Sequence, residues 1–396
     1  MSAEQAAPSY RTQTRPPPWR DVRVLRVAGQ VLFLVAVAAG LWYLFTTLLT
    51  NLRALSLPAS FDFLEQPTRV DIRDSDFNPS QPVKDALAVG LLNTVRVASV
   101  GIVLASVLGT VIGIARLSRN WLVRRAAALY VELLRNVPVL VVIIFLYTAV
   151  MLRLPPISEA LEVAGLVVFS NRGLNVPWGD GVGNVGAFTI ALLVVVALAI
   201  GVARWRTRRS DATGEPSHRF LYGLGVLVAG VVVAYFVLGQ PVAFTAPVLD
   251  DRRVTGGIGL GPEYAALLFG LVLYTASHIA EIVRGSILAV PKGQTEAASA
   301  VGLTSWQRMR YVILPQSLRI AVPPLANQYL NLTKNSSLAV FIGYFDLTRI
   351  TQQAIANGNP APQAILVLMG CYLALSLTIA LFTNIANRSL ALKGSP

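Results

Sequence analysis

Long apolar runs decide what this chain can become. A helix needs about 20 mainly apolar residues to cross the hydrocarbon core of a bilayer. Such runs occur at about 28–50, 88–114, 130–152, 187–203, 220–239, 262–283, 322–343 and 362–386. Eight transmembrane helices follow, and with them an all-α integral membrane protein. The composition agrees: of 396 residues, 54% are hydrophobic and 13% charged, where soluble domains carry about a quarter charged residues.

The polar stretches between the runs set an orientation, because loops facing the cytoplasm are enriched in Lys and Arg. Residues 1–27 form a tail rich in proline and arginine that reads as disordered, with Arg11, Arg15, Arg20, Arg23 and Arg26. The run after it is longer than a signal-peptide core and reads as an uncleaved anchor at 28–50. Arg116, Arg119, Arg124 and Arg125 follow the second run, and Arg204, Arg206, Arg208 and Arg209 the fourth. With eight spans these clusters share one side with Arg284, Lys292, Arg308, Arg310, Arg319, Arg388 and Lys393. Opposite lie the segment 51–86, with Asp62, Glu65, Asp71, Asp74, Asp76 and Asp85, and the loop around Asp250 and Asp251. Both termini are therefore expected in the cytoplasm, and topology alone accounts for the basic clusters.

Several function classes find no support. A net charge of +13 suits nucleic acid only when basic residues share a folded face with aromatics between them, and here they fall in short clusters. One cysteine, Cys371, and two histidines, His218 and His278, leave little for a disulfide framework or a metal centre. No phosphate loop, nucleophile elbow or zinc helix motif occurs, so neither nucleotide hydrolysis nor catalysis is expected of this chain. "GDGVGNVG" spaces Gly181, Gly183 and Gly186 like a dinucleotide fingerprint, but it precedes a membrane run instead of joining a strand to a helix, and reads as a turn.

Polar residues inside the spans are more informative. Asn327, Asn331, Lys334, Asn335 and Leu338 recur at three- to four-residue spacing and share one face of the seventh run. A charge in a span is costly and usually faces a bundle interior or a water-filled cavity, so this face, with Ser336 and Ser337, is the candidate translocation path. Neutralisation of a carboxylate, or snorkelling to the surface, is the alternative for Lys334. Glu281 and Arg284, three apart at the end of the sixth run, form a candidate ion pair. His278 beside them reads as a packing residue. Gly109 and Gly113, in "GTVIG", allow close approach of another helix.

"EAASAVGLTSWQRMRYVILPQ", residues 296–316, is too polar and interrupted to span a membrane. Glu296–Ala300 favours helix, Gly302 breaks it, and Thr304 or Ser305 caps a second helix that ends before Pro315. That second helix has apolar and basic sides.

These residues carry a resemblance. Glu296, Ala297, Ala298, Gly302 and the run Val312 to Pro315 look like the EAA loop of membrane subunits of bacterial ATP-binding cassette importers. "GLLNTVRVAS", "YVELLRNVPVL", "AEIVRGSILAVPKGQTEAA" and "LTKNSSLAVFIGYFDL" resemble, in order, permeases for polar amino acids of the histidine and glutamine type, most closely general L-amino acid permeases. Val142 and His278 depart from that pattern.

The resemblance implies a five-helix permease core at 87–152 and 262–390, an added N-terminal span, a periplasmic segment at 51–86, an inserted region 153–261 with two spans, and a C-terminal tail at 391–396. It implies an EAA coupling loop, 285–320, in which Glu296, Ala297, Ala298, Gly302, Leu314 and Pro315 dock a cytoplasmic ATPase dimer. It further implies a second permease, a paralogue, and a periplasmic amino-acid-binding protein. This chain would bind no cofactor, ATP and magnesium belonging to the ATPase. The expected function is amino-acid import across the inner membrane. An ion-driven secondary transporter would show paired intramembrane carboxylates and an inverted repeat, and a membrane enzyme a convergent catalytic set; neither is found.

Overall fold

The computed structural model describes residues 17, 19–54, 60–73, 75, 77–214, 218–250 and 253–390. Arg11, Arg15, Asp74, Asp76, Asp251 and Lys393, with most of the N-terminal tail and all of the C-terminal one, lie outside the described residues.

The helices follow the apolar runs. In chain order they are α1 (Val22–Ala54), α2 (Val83–Ala115), α3 (Trp121–Arg135) and α4 (Val139–Phe145), then α5 (Val185–Thr213) and α6 (Arg219–Val237). After them come α7 (Pro262–Leu288), α8 (Lys292–Ala300), α9 (Ser305–Arg308), α10 (Leu314–Asn335), α11 (Leu347–Ala356) and α12 (Ala361–Leu390). Six of these, α1, α2, α5, α6, α7 and α12, are long and apolar enough to cross a membrane. The third apolar run is not one straight helix: α3 and α4 meet at a 102° bend. Pro138 lacks an N–H for a continuing helix and disfavours helical backbone at Val137. The seventh run falls on α10, whose polar residues set it apart from the six, and the chain leaves α-helix at Asn335 for a 3-10 turn, Ser336–Ile342.

The core is built around α7. Its residues Ala266, Leu267, Leu271, Ala276, Ile279 and Ala280 are almost wholly buried between α2, α3, α4 and α10. The closest of these partners is α2, which carries a buried stripe of Gly90, Thr94, Ala98, Gly101, Ala105, Gly109 and Gly113 at three- to four-residue spacing, its Gly109–Gly113 end against α7 and its Gly90 end against Leu347 and Ile350 of α11. Without a hydrophobic drive between helices in lipid, such small residues let backbones meet and dispersion contacts accumulate. A methyl group at Gly109 would lie 2.6 Å from Ile279 Cβ and 2.8 Å from the Ala276 carbonyl oxygen, so α7 is the partner of the "GTVIG" segment.

A second core lies at the other end of α2. Phe63, Val70 and Ile72 of the segment before α2 pack with Val83, Leu87, Leu347 and Ile350. The side-chain amide of Asn357 also donates to the carbonyls of Thr68 and Arg69.

Among the described residues, the region between α4 and α7 contains eight short strands that the apolar runs do not foreshadow. β1 (Leu161–Val163), β2 (Val167–Ser170), β3 (Gly173–Val176) and β8 (Ile258–Leu260) form an antiparallel sheet in that order. β4 (Trp178–Gly181) pairs with β5 (Val242–Thr245), and β6 (Val248–Asp250) with β7 (Arg253–Thr255). Val168 and Leu174 anchor the larger sheet, Leu174 within the α7 core. The β4–β5 ribbon leads into α5 and out of α6, which pack on each other through Gly230 against Val195 and Gly223 against Ala203. Gly181 ends β4, and Asn184 caps α5 by accepting from the Ala187 N–H. The glycine-rich stretch is therefore a turn between a ribbon and a helix, and among the described residues no parallel strand pair makes a dinucleotide fold.

Candidate functional site

The polar elbow between α7 and α10 is held by local rules. α8 ends in a Schellman motif: the Gly302 N–H donates to the Ser299 carbonyl and the Leu303 N–H to the Ala298 carbonyl. Gly302 has φ +78°, a left-handed conformation that costs other residues about 1–2 kcal/mol. Two residues on, Thr304 caps α9 in a capping box: its hydroxyl accepts from the Gln307 N–H, and Gln307 Oε1 accepts from the Thr304 N–H. Arg308 reaches back across the elbow and donates to Ser299 Oγ at 2.7 Å.

Glu296, Ala297 and Gly302 are exposed on this elbow, and Ala298 is buried within it. Around them Val301, Trp306 and Tyr311 are exposed at 75%, 70% and 64%, a concentration of apolar surface on an otherwise polar element. The helix after Gly302 does not end before Pro315. It passes through a π turn, Met309–Ile313, into α10, whose first turn holds Leu314 and Pro315. Proline is accommodated there by the π turn before it, in which the Leu314 N–H reaches back to the Met309 carbonyl.

On α10 the candidate path residues separate. Asn327, Asn331 and Lys334 are exposed along one face, at spacings of four and three. Asn335 is half-buried at the helix end. Ser336 is buried and donates to the Thr333 carbonyl, while Ser337 donates to that of Lys334. Their hydroxyls thus serve the helix end, and Leu338, beyond it, packs against the core. Lys334 forms no ion pair among the described residues, so the stripe shows a cation without an internal carboxylate.

Glu281 and Arg284 pair on α7 as their spacing implies, Arg284 Nη2 donating to Glu281 Oε1 at 2.5 Å. A third member escaped sequence reading: Arg116, just past the end of α2, donates to Glu281 Oε2. Nothing in sequence signals a pairing across 165 residues. His278 packs against the Tyr274 ring at 4.6 Å between centroids, with Nδ1 3.1 Å from the Tyr274 carbonyl, as a packing residue does.

A bundle of apolar helices, one carrying an exposed polar stripe and two joined by an ordered polar elbow, is the architecture of a multi-pass membrane protein. The chain belongs to the family described as binding-protein-dependent transport system inner membrane component, which matches residues 101–392. It is 39% identical to the general L-amino acid transport system permease protein AapQ of Rhizobium johnstonii, over 97% of this chain and 95% of that protein. It is 38% identical to the putative amino-acid ABC transporter permease protein YhdX of Escherichia coli, over 92% and 93%. Similarity to the glutamate/glutamine/aspartate/asparagine transport system permease protein BztB of Rhodobacter capsulatus is 36%, over 94% and 95%. The chain is accordingly a multi-pass permease subunit, a transport component and not an enzyme.

Proposed function

We propose that this chain is one membrane-spanning subunit of an ATP-driven importer that carries amino acids into the cytoplasm. The reading rests first on the elbow at Gly302, whose ordered, capped geometry ends in exposed Val301, Trp306 and Tyr311. Exposed apolar groups on a rigid polar element suit a protein partner, and the docked partner is a cytoplasmic ATPase dimer that binds ATP and magnesium itself. Closure of that dimer moves the elbows and switches the spans between inward and outward access, a rigid-body change.

The core consists of residues 87–152 and 262–390, and the exposed Asn327, Asn331 and Lys334 face the path shared with a second, paralogous permease. Lys334 supplies a positive charge for a substrate carboxylate. Substrate is delivered by a periplasmic amino-acid-binding protein, and the arginine clusters set both termini and the elbow in the cytoplasm of a bacterial inner membrane. The amino-acid substrate is supported by the three relatives, each named for amino-acid transport.

Co-isolation tests the docking. A tagged chain is expected to retain an ATPase subunit through purification, and Glu296→Arg to lose it while still inserting into membranes. Retention unchanged by Glu296→Arg and Trp306→Ala together, or transport by the isolated chain without ATP, contradicts the reading.

A further inference from the structure

Among the described helices α10 alone carries proline beyond its first turn, and it carries two in succession, Pro323 and Pro324. Proline has no N–H to return to the carbonyl four residues back, so the helical hydrogen bonds to the carbonyls of Arg319 and Ile320 are both missing. Neighbouring helices make such a gap tolerable in a membrane. Tolerance does not explain its position.

The proline pair divides α10 into two halves fastened to different parts of the molecule. On the elbow side Ser317 and Ala321 are buried, and Gln316 Nε2 donates to Gln294 Oε1 of α8 at 3.3 Å. There the helix runs back without a break through the π turn into α9. On the far side Leu332 is fully buried against Gly101 of α2, where an added Cβ would lie 3.2 Å from its Cδ2. The Tyr329 hydroxyl lies 3.0 Å from that of Ser106 on the same helix. Pro323 itself is exposed, and the exposed face of Asn327, Asn331 and Lys334 begins one turn beyond it.

We propose that Pro323 and Pro324 form a hinge, at which movement of the elbow becomes a swing of the face carrying Asn327, Asn331 and Lys334. The inference rests on the importer reading and adds to it the place where the continuous helix yields. A helix held at both ends bends where its backbone hydrogen bonds are interrupted. The helices α2 and α7, which pack against α10, have no interior proline to bend with it.

The test uses the proposed importer assembled in proteoliposomes. Cys371→Ser removes the chain's one cysteine, and Gln328→Cys, at a half-buried position on the outer half of α10, reports exposure to a maleimide. With both prolines present, the labelling rate is expected to differ between the nucleotide-free and ATP-bound states. Pro323→Ala with Pro324→Ala restores both hydrogen bonds. This pair should keep or raise the melting temperature and leave ATP hydrolysis running, but abolish the nucleotide-dependent difference in labelling and lower uptake roughly tenfold. Pro323→Gly with Pro324→Gly restores the N–H groups but loosens the backbone, and should recover part of the uptake that the alanine pair loses.

Uptake and labelling by the alanine pair equal to those of the wild type overturn the hinge and leave the importer reading intact. Equal loss in the alanine and glycine pairs also overturns it, in favour of a packing role for the proline rings. A wild-type assembly whose labelling and uptake ignore ATP contradicts the importer reading, and the hinge with it.

Discussion

Arg116, just past the end of α2, and Glu281, seven residues before the end of α7, are joined by an ion pair that Arg284 shares from the other side. Two helices distant in sequence are thus tied at one end by a carboxylate that serves two cations. Glu281→Gln leaves Arg116 and Arg284 facing each other without a counter-charge. The variant should lower the melting temperature of the detergent-solubilised chain. Since all three groups are only partly buried, a coupling of about 1 kcal/mol between Arg116→Gln and Glu281→Gln is expected from a double-mutant cycle. Additivity within error would show that the pair contributes nothing.

The α2–α7 contact makes a sharper prediction from two glycines. Gly109→Ala forces a methyl against Ile279 and the Ala276 carbonyl, an overpacking that costs about 1–3 kcal/mol. Gly285, on α7 itself, has nothing within 4 Å of an added Cβ, so Gly285→Ala should be neutral. Thermal unfolding of the two variants side by side checks the packing, and equal melting temperatures would refute it.

Asp346, beyond the end of α10, is fully buried. It caps α11 by accepting from the Arg349 N–H and lies 3.4 Å from the Tyr372 hydroxyl. Burial pushes its carboxyl up to about 6 from an ordinary 3.8. A raised folded-state pKa means that the neutral form is favoured in the fold. The resulting stability is fully present below about pH 3.8 and is lost as pH rises through about 6, a change of about 2–3 kcal/mol. Asp346→Asn keeps a capping oxygen and should flatten this component between pH 4 and 7. Identical pH profiles of melting for variant and wild type would contradict it.

Replacing Lys334 separates its effect on folding from its proposed role in transport. Its side chain is exposed and makes no ion pair among the described residues, so Lys334→Met should leave the melting temperature within about 1 °C, the scale of a surface change below 0.5 kcal/mol. Uptake of a labelled amino acid by the assembled importer should fall at least tenfold, as loss of a charge-assisted contact worth 1.5–3 kcal/mol implies. Unchanged uptake removes the lysine from the path.

Much of this was legible in the chain. Six of the eight expected spans obey apolar length, while the third run bends at Pro138 and the seventh falls on the more polar α10, and the Gly302 elbow obeys residue preference, because a left-handed helix end selects glycine and a following Thr304 selects a cap. The stripe through Asn327, Asn331 and Lys334 obeys the helical period. What failed did so for identifiable reasons. The π turn at Met309–Ile313 let the helix continue past Pro315, because its widened register accommodates a residue that would interrupt a regular α-helix. The strands between α4 and α7 are three or four residues long, too short for alternation to stand out from a membrane protein's apolar background. Arg116 pairs with Glu281 only because two helices happen to end at one level, which depends on packing and leaves no local trace.

The central claim is that work done by a separate ATPase enters this chain through the elbow at Gly302. Proteoliposomes containing the chain with the proposed ATPase, second permease and binding protein test it by ATP-dependent uptake of a labelled amino acid. Gly302→Val, which strains a backbone at φ +78° without touching a membrane helix, should abolish uptake while the ATPase subunit keeps its nucleotide binding. Full uptake by the Gly302→Val complex, or uptake independent of ATP, would contradict the account.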